Sequence, residues 1–103
     1  DINRIKEIIG NRNICLLEDS CETQGGQIDG VKVGNFGLGS SFSFYWGHHM
    51  TTVEGGMICT NDDEFYKLNV LKRSHGLARE LPEKYHKTIQ ITHPDINFQF
   101  MFL

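Results

Sequence analysis

Long apolar runs are missing from this chain of 103 residues. None approaches the roughly 18 residues of a membrane span, and the N-terminus lacks the apolar core of a signal peptide, so neither is expected. A strong charge of one sign is missing too. The formal charge is −3 and the isoelectric point is near 5.9, which leaves no broad attraction to nucleic acid or to an anionic membrane. Cysteine is sparse: Cys15, Cys21 and Cys59 are odd in number and irregular in spacing. They fit reduced cytosolic thiols and not a disulfide framework. No Cys-x-x-Cys or His-x-x-x-His occurs, which weighs against zinc, and no metal ligand is assigned. A Gly-Lys-Ser/Thr is absent, so there is no P-loop. The one Gly-x-Gly, Gly37-Leu38-Gly39, leads into a strand pattern and not a helix, which excludes the dinucleotide fingerprint. There is no internal repeat.

What remains is globular in composition, 39% hydrophobic and 22% charged, enough for one domain at most. Residues 2, 5, 8 and 9 are all isoleucine, the stripe of an amphipathic helix that should end near Gly10-Asn11. Ile14-Cys15-Leu16-Leu17 predicts a strand buried on both faces in a parallel sheet. It runs into Glu18-Asp19-Ser20-Cys21-Glu22, and acids at the carboxyl end of such a strand lie where α/β proteins bind ligands. Capping of the next turn by Asp19 explains the pattern equally well. The glycine-punctuated stretch 24–34 predicts a hairpin or irregular excursion. Asn61 is the expected N-cap of a helix with Phe65, Leu68, Val70 and Leu71 on its apolar side, closed by Gly76. Leu77 to Pro94 reads as polar and irregular, with no role for His86 or His93. The apolar finish Phe98–Leu103 has no cap or polar tail, so the chain is expected to be truncated at both ends.

Chemistry concentrates between two strand-like runs, in Ser43-Phe44-Tyr45-Trp46-Gly47-His48-His49-Met50-Thr51-Thr52-Val53-Glu54-Gly55-Gly56. A polar connection between strands projects side chains from a rigid base. Zinc is a poor fit, because adjacent histidines diverge. A non-catalytic module with incidental histidines stays open. Pyridoxal phosphate uses all the pieces: its ring nitrogen wants a carboxylate, its phosphate wants hydroxyl and N–H donors, and its reactive carbon wants a base.

Leu17-Glu18-Asp19-Ser20-Cys21-Glu22, then Ser43 to Gly56, Thr60-Asn61-Asp62 and Arg73-Ser74-His75-Gly76 resemble, in order, the sugar aminotransferase family of pyridoxal phosphate enzymes, the DegT/DnrJ/EryC1/StrS group. The resemblance implies an α/β fold, part of the large domain of the aspartate-aminotransferase type (pyridoxal phosphate fold type I), with a mostly parallel sheet flanked by helices. Residues 1–103 would be the central part of that domain. Asp19 would pair with the pyridine nitrogen, Glu22 would sit by the ring's polar edge and Ser43 would hold the phosphate. The family's Schiff-base lysine is replaced by His48, whose imidazole cannot form the imine but can move a proton.

That exchange marks the family's deoxysugar 3-dehydratases. One type takes an amino group from L-glutamate to make pyridoxamine phosphate and removes the 3-hydroxyl of a GDP-linked 4-keto-6-deoxyhexose. The other acts on a CDP-sugar and adds an iron–sulfur cluster. Leu77 to Tyr85 contains no cysteine for a cluster, so the first type fits better. The resemblance further implies a nucleotide-sugar substrate, a cytoplasmic homodimer, and no nucleic-acid or membrane partner. The alternative is an aminotransferase-like protein without dehydratase activity.

Overall fold

The computed structural model describes residues 1–92. The chain divides into two compact units, Asp1–Asp62 and Asp63–Leu103.

In the first unit, α1 (Ile2–Ile9) forms as its isoleucine spacing predicts. The Asp1 carboxylate accepts from the Arg4 N–H at 3.1 Å, and the Gly10 N–H donates to the Lys6 carbonyl at 2.9 Å. Then come β1 (Leu17–Asp19), β2 (Gln27–Ile28), β3 (Val31–Lys32), β4 (Gly39–Ser43) and β5 (Gly56–Cys59). The expected excursion at 24–34 is the β2–β3 hairpin. Its two-residue loop, Asp29-Gly30, takes φ of 50° and 78°, the left-handed pair that a tight hairpin turn requires.

The main sheet has the order β1-β4-β5. β1 pairs with β4 in parallel, Asp19 opposite Ser41, and β4 pairs with β5 antiparallel, Ser43 opposite Gly56. The described sheet is therefore mixed. The buried strand predicted over Ile14–Leu17 differs in two ways: it begins at Leu17, and Ile14 and Leu17 are 53% and 59% exposed. Among the described residues β1 has a strand along one edge only, so it is an edge strand and not an interior one.

Two contacts add to the strand pairing that holds β1 and β4 together. The Leu38 N–H donates to the Leu16 carbonyl at 2.8 Å, and the buried hydroxyls of Ser40 and Ser20 meet at 3.0 Å. At Gly37 any side chain would collide with the Leu16 carbonyl oxygen, so the turn into β4 needs glycine there.

The second unit opens with α2 (Asp63–Arg73), so Asn61 lies short of the expected capping position. Asp63 and Glu64 occupy its first turn and Lys72 and Arg73 its last, matching the helix dipole. Its end is closed by two residues. His75 and Gly76 both take left-handed φ, 56° and 82°, and the Gly76 N–H donates to the Leu71 carbonyl at 2.7 Å. Val70, Ala78 and Leu81 are buried. The irregular segment predicted from Leu77 is instead a short 3-10 turn, Ala78–Glu80, followed by α3 (Glu83–Thr92). Pro82 starts that helix: its ring presets φ, its missing N–H costs nothing at a helix entrance, and its carbonyl accepts from the Tyr85 N–H at 2.9 Å. His86 lies within α3, its Nε2 2.6 Å from the Leu81 carbonyl. His93 and the run Phe98–Leu103 fall outside the described residues. No helix among the described residues is long and apolar enough to cross a membrane.

Candidate active site

Successive residues of β1 point to opposite faces, and this separates its two acids. Glu18 turns toward the chain ahead of β4. Its carboxylate accepts the backbone N–H groups of Gly34 at 2.7 Å, Phe36 at 2.7 Å and Gly37 at 2.8 Å. It therefore organises the turn that delivers β4 beside β1.

Asp19 faces an open cavity of about 450 Å³ lined by Asp19, Cys21, Glu22, Thr23 and His48. Its Oδ1 accepts from the Cys21 N–H at 3.2 Å and lies 3.5 Å from the Ser41 hydroxyl. The Cys21 thiol and then its backbone N–H hold the Asp19 carboxyl below its ordinary range. Ser41 and the charge of His48 add to this, and desolvation opposes it. The same contact to Asp19, with desolvation, pushes the Cys21 thiol up, so it stays a protonated donor at neutral pH.

His48 sits on the loop between β4 and β5. Hydrogen bonds from the Phe44 N–H to the Gly55 carbonyl (2.8 Å) and from the Thr52 N–H to the Phe44 carbonyl (2.9 Å) close the base of that loop. A turn with the His48 N–H donating to the Tyr45 carbonyl at 3.0 Å sets its backbone, and the Tyr45 ring packs edge-on against the imidazole, centroids 5.8 Å apart. Nε2 lies 3.6 Å from Glu22 Oε1, with the His48 side chain 21% exposed and Glu22 79% exposed. Nδ1 is buried and has no hydrogen-bond partner among the described residues.

Three of the four residues expected from the sequence, Asp19, Glu22 and His48, thus share one cavity. Ser43 does not line it. At the end of β4 its Oγ accepts from the Tyr45 N–H at 3.2 Å, and its carbonyl accepts from Gln24 Nε2 at 3.1 Å. His49 is exposed. Sequence reasoning missed Cys21, Thr23 and Ser41. The Asp-Ser-Cys spacing is a signal for the first, since an aspartate readily bonds the N–H two residues on. Ser41 carries no such signal, because only the strand register puts it opposite Asp19.

Chemically, a carboxylate held ionised favours a protonated partner beside it. An imidazole on the same wall can take and return a proton near neutral pH. No lysine among the described residues lines the cavity. Among the described residues no group of three or more His, Cys, Asp or Glu could hold a metal ion.

Comparison with known proteins gives a consistent picture. The DegT/DnrJ/EryC1/StrS aminotransferase family matches over residues 1–100. A GDP-4-keto-6-deoxy-D-mannose 3-dehydratase from Escherichia coli is 44% identical over 84 residues, 82% of this chain and 22% of that protein. A crystal structure of a GDP-4-keto-6-deoxymannose-3-dehydratase variant with bound GDP-perosamine superposes with a TM-score of 0.81 at 39% identity, over 98% of this chain and 26% of the other. A further structure of such a dehydratase, holding a trapped PLP-glutamate geminal diamine, gives 0.73 at 43% identity, over 79% and 21% of the two chains. The chain spans about a quarter of the length of the relatives it matches.

Proposed function

The chain belongs to the DegT/DnrJ/EryC1/StrS aminotransferase family, and from that premise we propose that it carries part of the active site of a nucleotide-sugar 3-dehydratase dependent on pyridoxal or pyridoxamine phosphate. The observation that supports this reading is His48. It stands on the cavity wall with Asp19 and Glu22, with no lysine beside it among the described residues, an arrangement suited to proton transfer and unsuited to covalent tethering.

The donor set fits the coenzyme. Asp19, held ionised, would keep the pyridine nitrogen protonated. Glu22 would face the polar edge of the ring. Ser43 would reach the phosphate, since its hydroxyl proton remains available while its oxygen accepts from the Tyr45 N–H. When bound, the coenzyme supplies an electron sink and an amino group. His48 would remove a proton as base and return one to the departing 3-hydroxyl as acid, two duties that suit an imidazole.

By its relatives' chemistry, the substrate would be a GDP-linked 4-keto-6-deoxyhexose and the amino donor glutamate. The complete protein would be a cytoplasmic homodimer making deoxysugars for surface polysaccharide, with this chain as part of its coenzyme-binding large domain.

The test uses the full-length protein. Coenzyme added with glutamate should be held as pyridoxamine phosphate, without the visible absorbance of a lysine-bound imine. His48→Asn should abolish dehydration of the nucleotide sugar. Full turnover by His48→Asn would overturn the assignment, and a lysine-bound imine would point to an aminotransferase instead.

A further inference from the structure

The Asp19 carboxylate is held from one side. Its register partner across the parallel pair is Ser41, so strand pairing places that hydroxyl, not a flexible loop. Ser41 Oγ lies 3.5 Å from Asp19 Oδ1, 3.5 Å from the Glu18 carbonyl and 3.9 Å from Cys21 Sγ. The Cys21 N–H reaches the same Oδ1 at 3.2 Å. The strand ends that carry these groups are fixed by the buried Ser20–Ser40 hydroxyl pair and by the Ser20 N–H, which donates to the Ser41 carbonyl at 2.9 Å.

We propose that Ser41 and Cys21 are positioning residues for Asp19: the Ser41 hydroxyl and the Cys21 N–H gather Oδ1, with the Cys21 thiol beside the Ser41 hydroxyl, fixing the carboxylate's rotation and leaving Oδ2 to meet a protonated ring nitrogen. This rests on the coenzyme reading given above. A purely local role predicts something different. The turn from Asp19 to Cys21 needs only the backbone N–H of Cys21, and neither the thiol nor the Ser41 hydroxyl contributes to it. Yet the Ser41 hydroxyl lies 3.5 Å from Oδ1 and 3.9 Å from the Cys21 thiol, and both side chains favour the ionised carboxylate. Cys21→Ala therefore keeps the turn and deletes only the thiol.

The experiment compares full-length parent, Ser41→Ala, Cys21→Ala, the double variant and Ser41→Thr. Two quantities are read: the titration midpoint of the Asp19 carboxyl by carbon-13 NMR in coenzyme-free protein, and the affinity for pyridoxal phosphate by fluorescence quenching. Each single variant should raise the Asp19 midpoint, and the double variant should raise it most. Pyridoxal phosphate should bind the double variant roughly tenfold more weakly, the size of one lost charge-assisted hydrogen bond. Ser41→Thr, which restores a hydroxyl on a residue well suited to a strand, should return both quantities toward the parent values.

An unchanged Asp19 midpoint in the double variant overturns the proposal, whatever happens to affinity. So does an unchanged affinity. If the parent itself fails to bind pyridoxal phosphate, the coenzyme reading falls and this role falls with it. A parent that binds and a double variant that behaves identically remove the positioning role alone.

Discussion

Replacing Glu18 by alanine should destabilise the fold far more than replacing it by glutamine. The carboxylate serves three backbone donors, the N–H groups of Gly34, Phe36 and Gly37, at 2.7 to 2.8 Å in a half-buried setting. Alanine strands all of them. At the low end of the penalty for an unsatisfied donor, about 1 kcal/mol each, the loss comes to about 3 kcal/mol. Glutamine keeps an oxygen where Oε1 now accepts from Phe36 and Gly37, but it sets an amide NH₂ against the Gly34 N–H that Oε2 now satisfies. One contact is lost, and the cost falls to about 1 kcal/mol. Urea denaturation of the two variants should show shifted midpoints with unchanged slopes, since the area exposed on unfolding is the same. Against a typical stability of about 5–15 kcal/mol, the alanine effect is easily resolved. If alanine proved no worse than glutamine, or if both fell within about 0.5 kcal/mol of the parent, Glu18 would not be the brace described here.

Two further predictions concern local sterics and charge. Gly37→Ala pushes a methyl group into the Leu16 carbonyl and should cost about 1–3 kcal/mol, as overpacking does. Gly47→Ala meets only the Tyr45 ring at ordinary contact distance, 3.7 to 3.8 Å, and should stay within about 0.5 kcal/mol in the same denaturation assay. The exposed pair Asp63–Lys84, 2.9 Å apart, should show a pH window. The hydrogen bond from Lys84, then its charge, lowers the Asp63 pKa, so that stabilisation is present above the ordinary value of 3.8 and fades as pH falls through the lowered one. The hydrogen bond to Asp63, with Tyr85 next, raises the Lys84 pKa, so its share is present below 10.5 and fades as pH rises through the raised value. The melting-temperature gap between the parent and Lys84→Met should therefore be small and should close at both extremes of pH.

What could be read from the sequence followed from how local the signal was. The hairpin within 24–34, the helix that ends near Arg73 and its glycine stop depend on neighbours in sequence, and they formed within those stretches, the helix starting at Asp63, two residues past Asn61. Asp19, Glu22 and His48 lie in short polar stretches next to strand-like runs, where a pleated sheet ends and side chains project, but the roles expected of them come from the family resemblance and not from that pattern. Burial was not legible. Ile14-Cys15-Leu16-Leu17 has the composition of an interior strand, but composition records what a segment tolerates and not what lies over it. The helix Glu83–Thr92 was hidden by polarity: Tyr85 and Ile89 are the apolar residues in its first two turns, too few to set a period. Leu77 to Pro94 reads as polar and irregular, and that reading passes over the helix start signal at Pro82. Ser41 looked like one serine among several. Only the parallel register made it the partner of Asp19.

The pleat of one short strand, continued into the residue after it, assigns the chemistry. Glu18, Asp19 and Ser20 are consecutive, and each carboxylate or hydroxyl is committed to a different neighbour: a backbone turn, an open cavity and a buried hydroxyl on β4. A one-residue slip of β1 against β4 would exchange these faces, placing the brace in the cavity and the site carboxylate in the turn. The Ser20–Ser40 contact, buried on both sides, is what such a slip would break first, because it would leave two hydroxyls without partners away from water. Placement is thereby secured by a structural pair that never touches the cavity. Tuning is a separate matter. Glu22 is 79% exposed and 3.6 Å from His48, so water screens their attraction, and position is what this segment supplies to the imidazole.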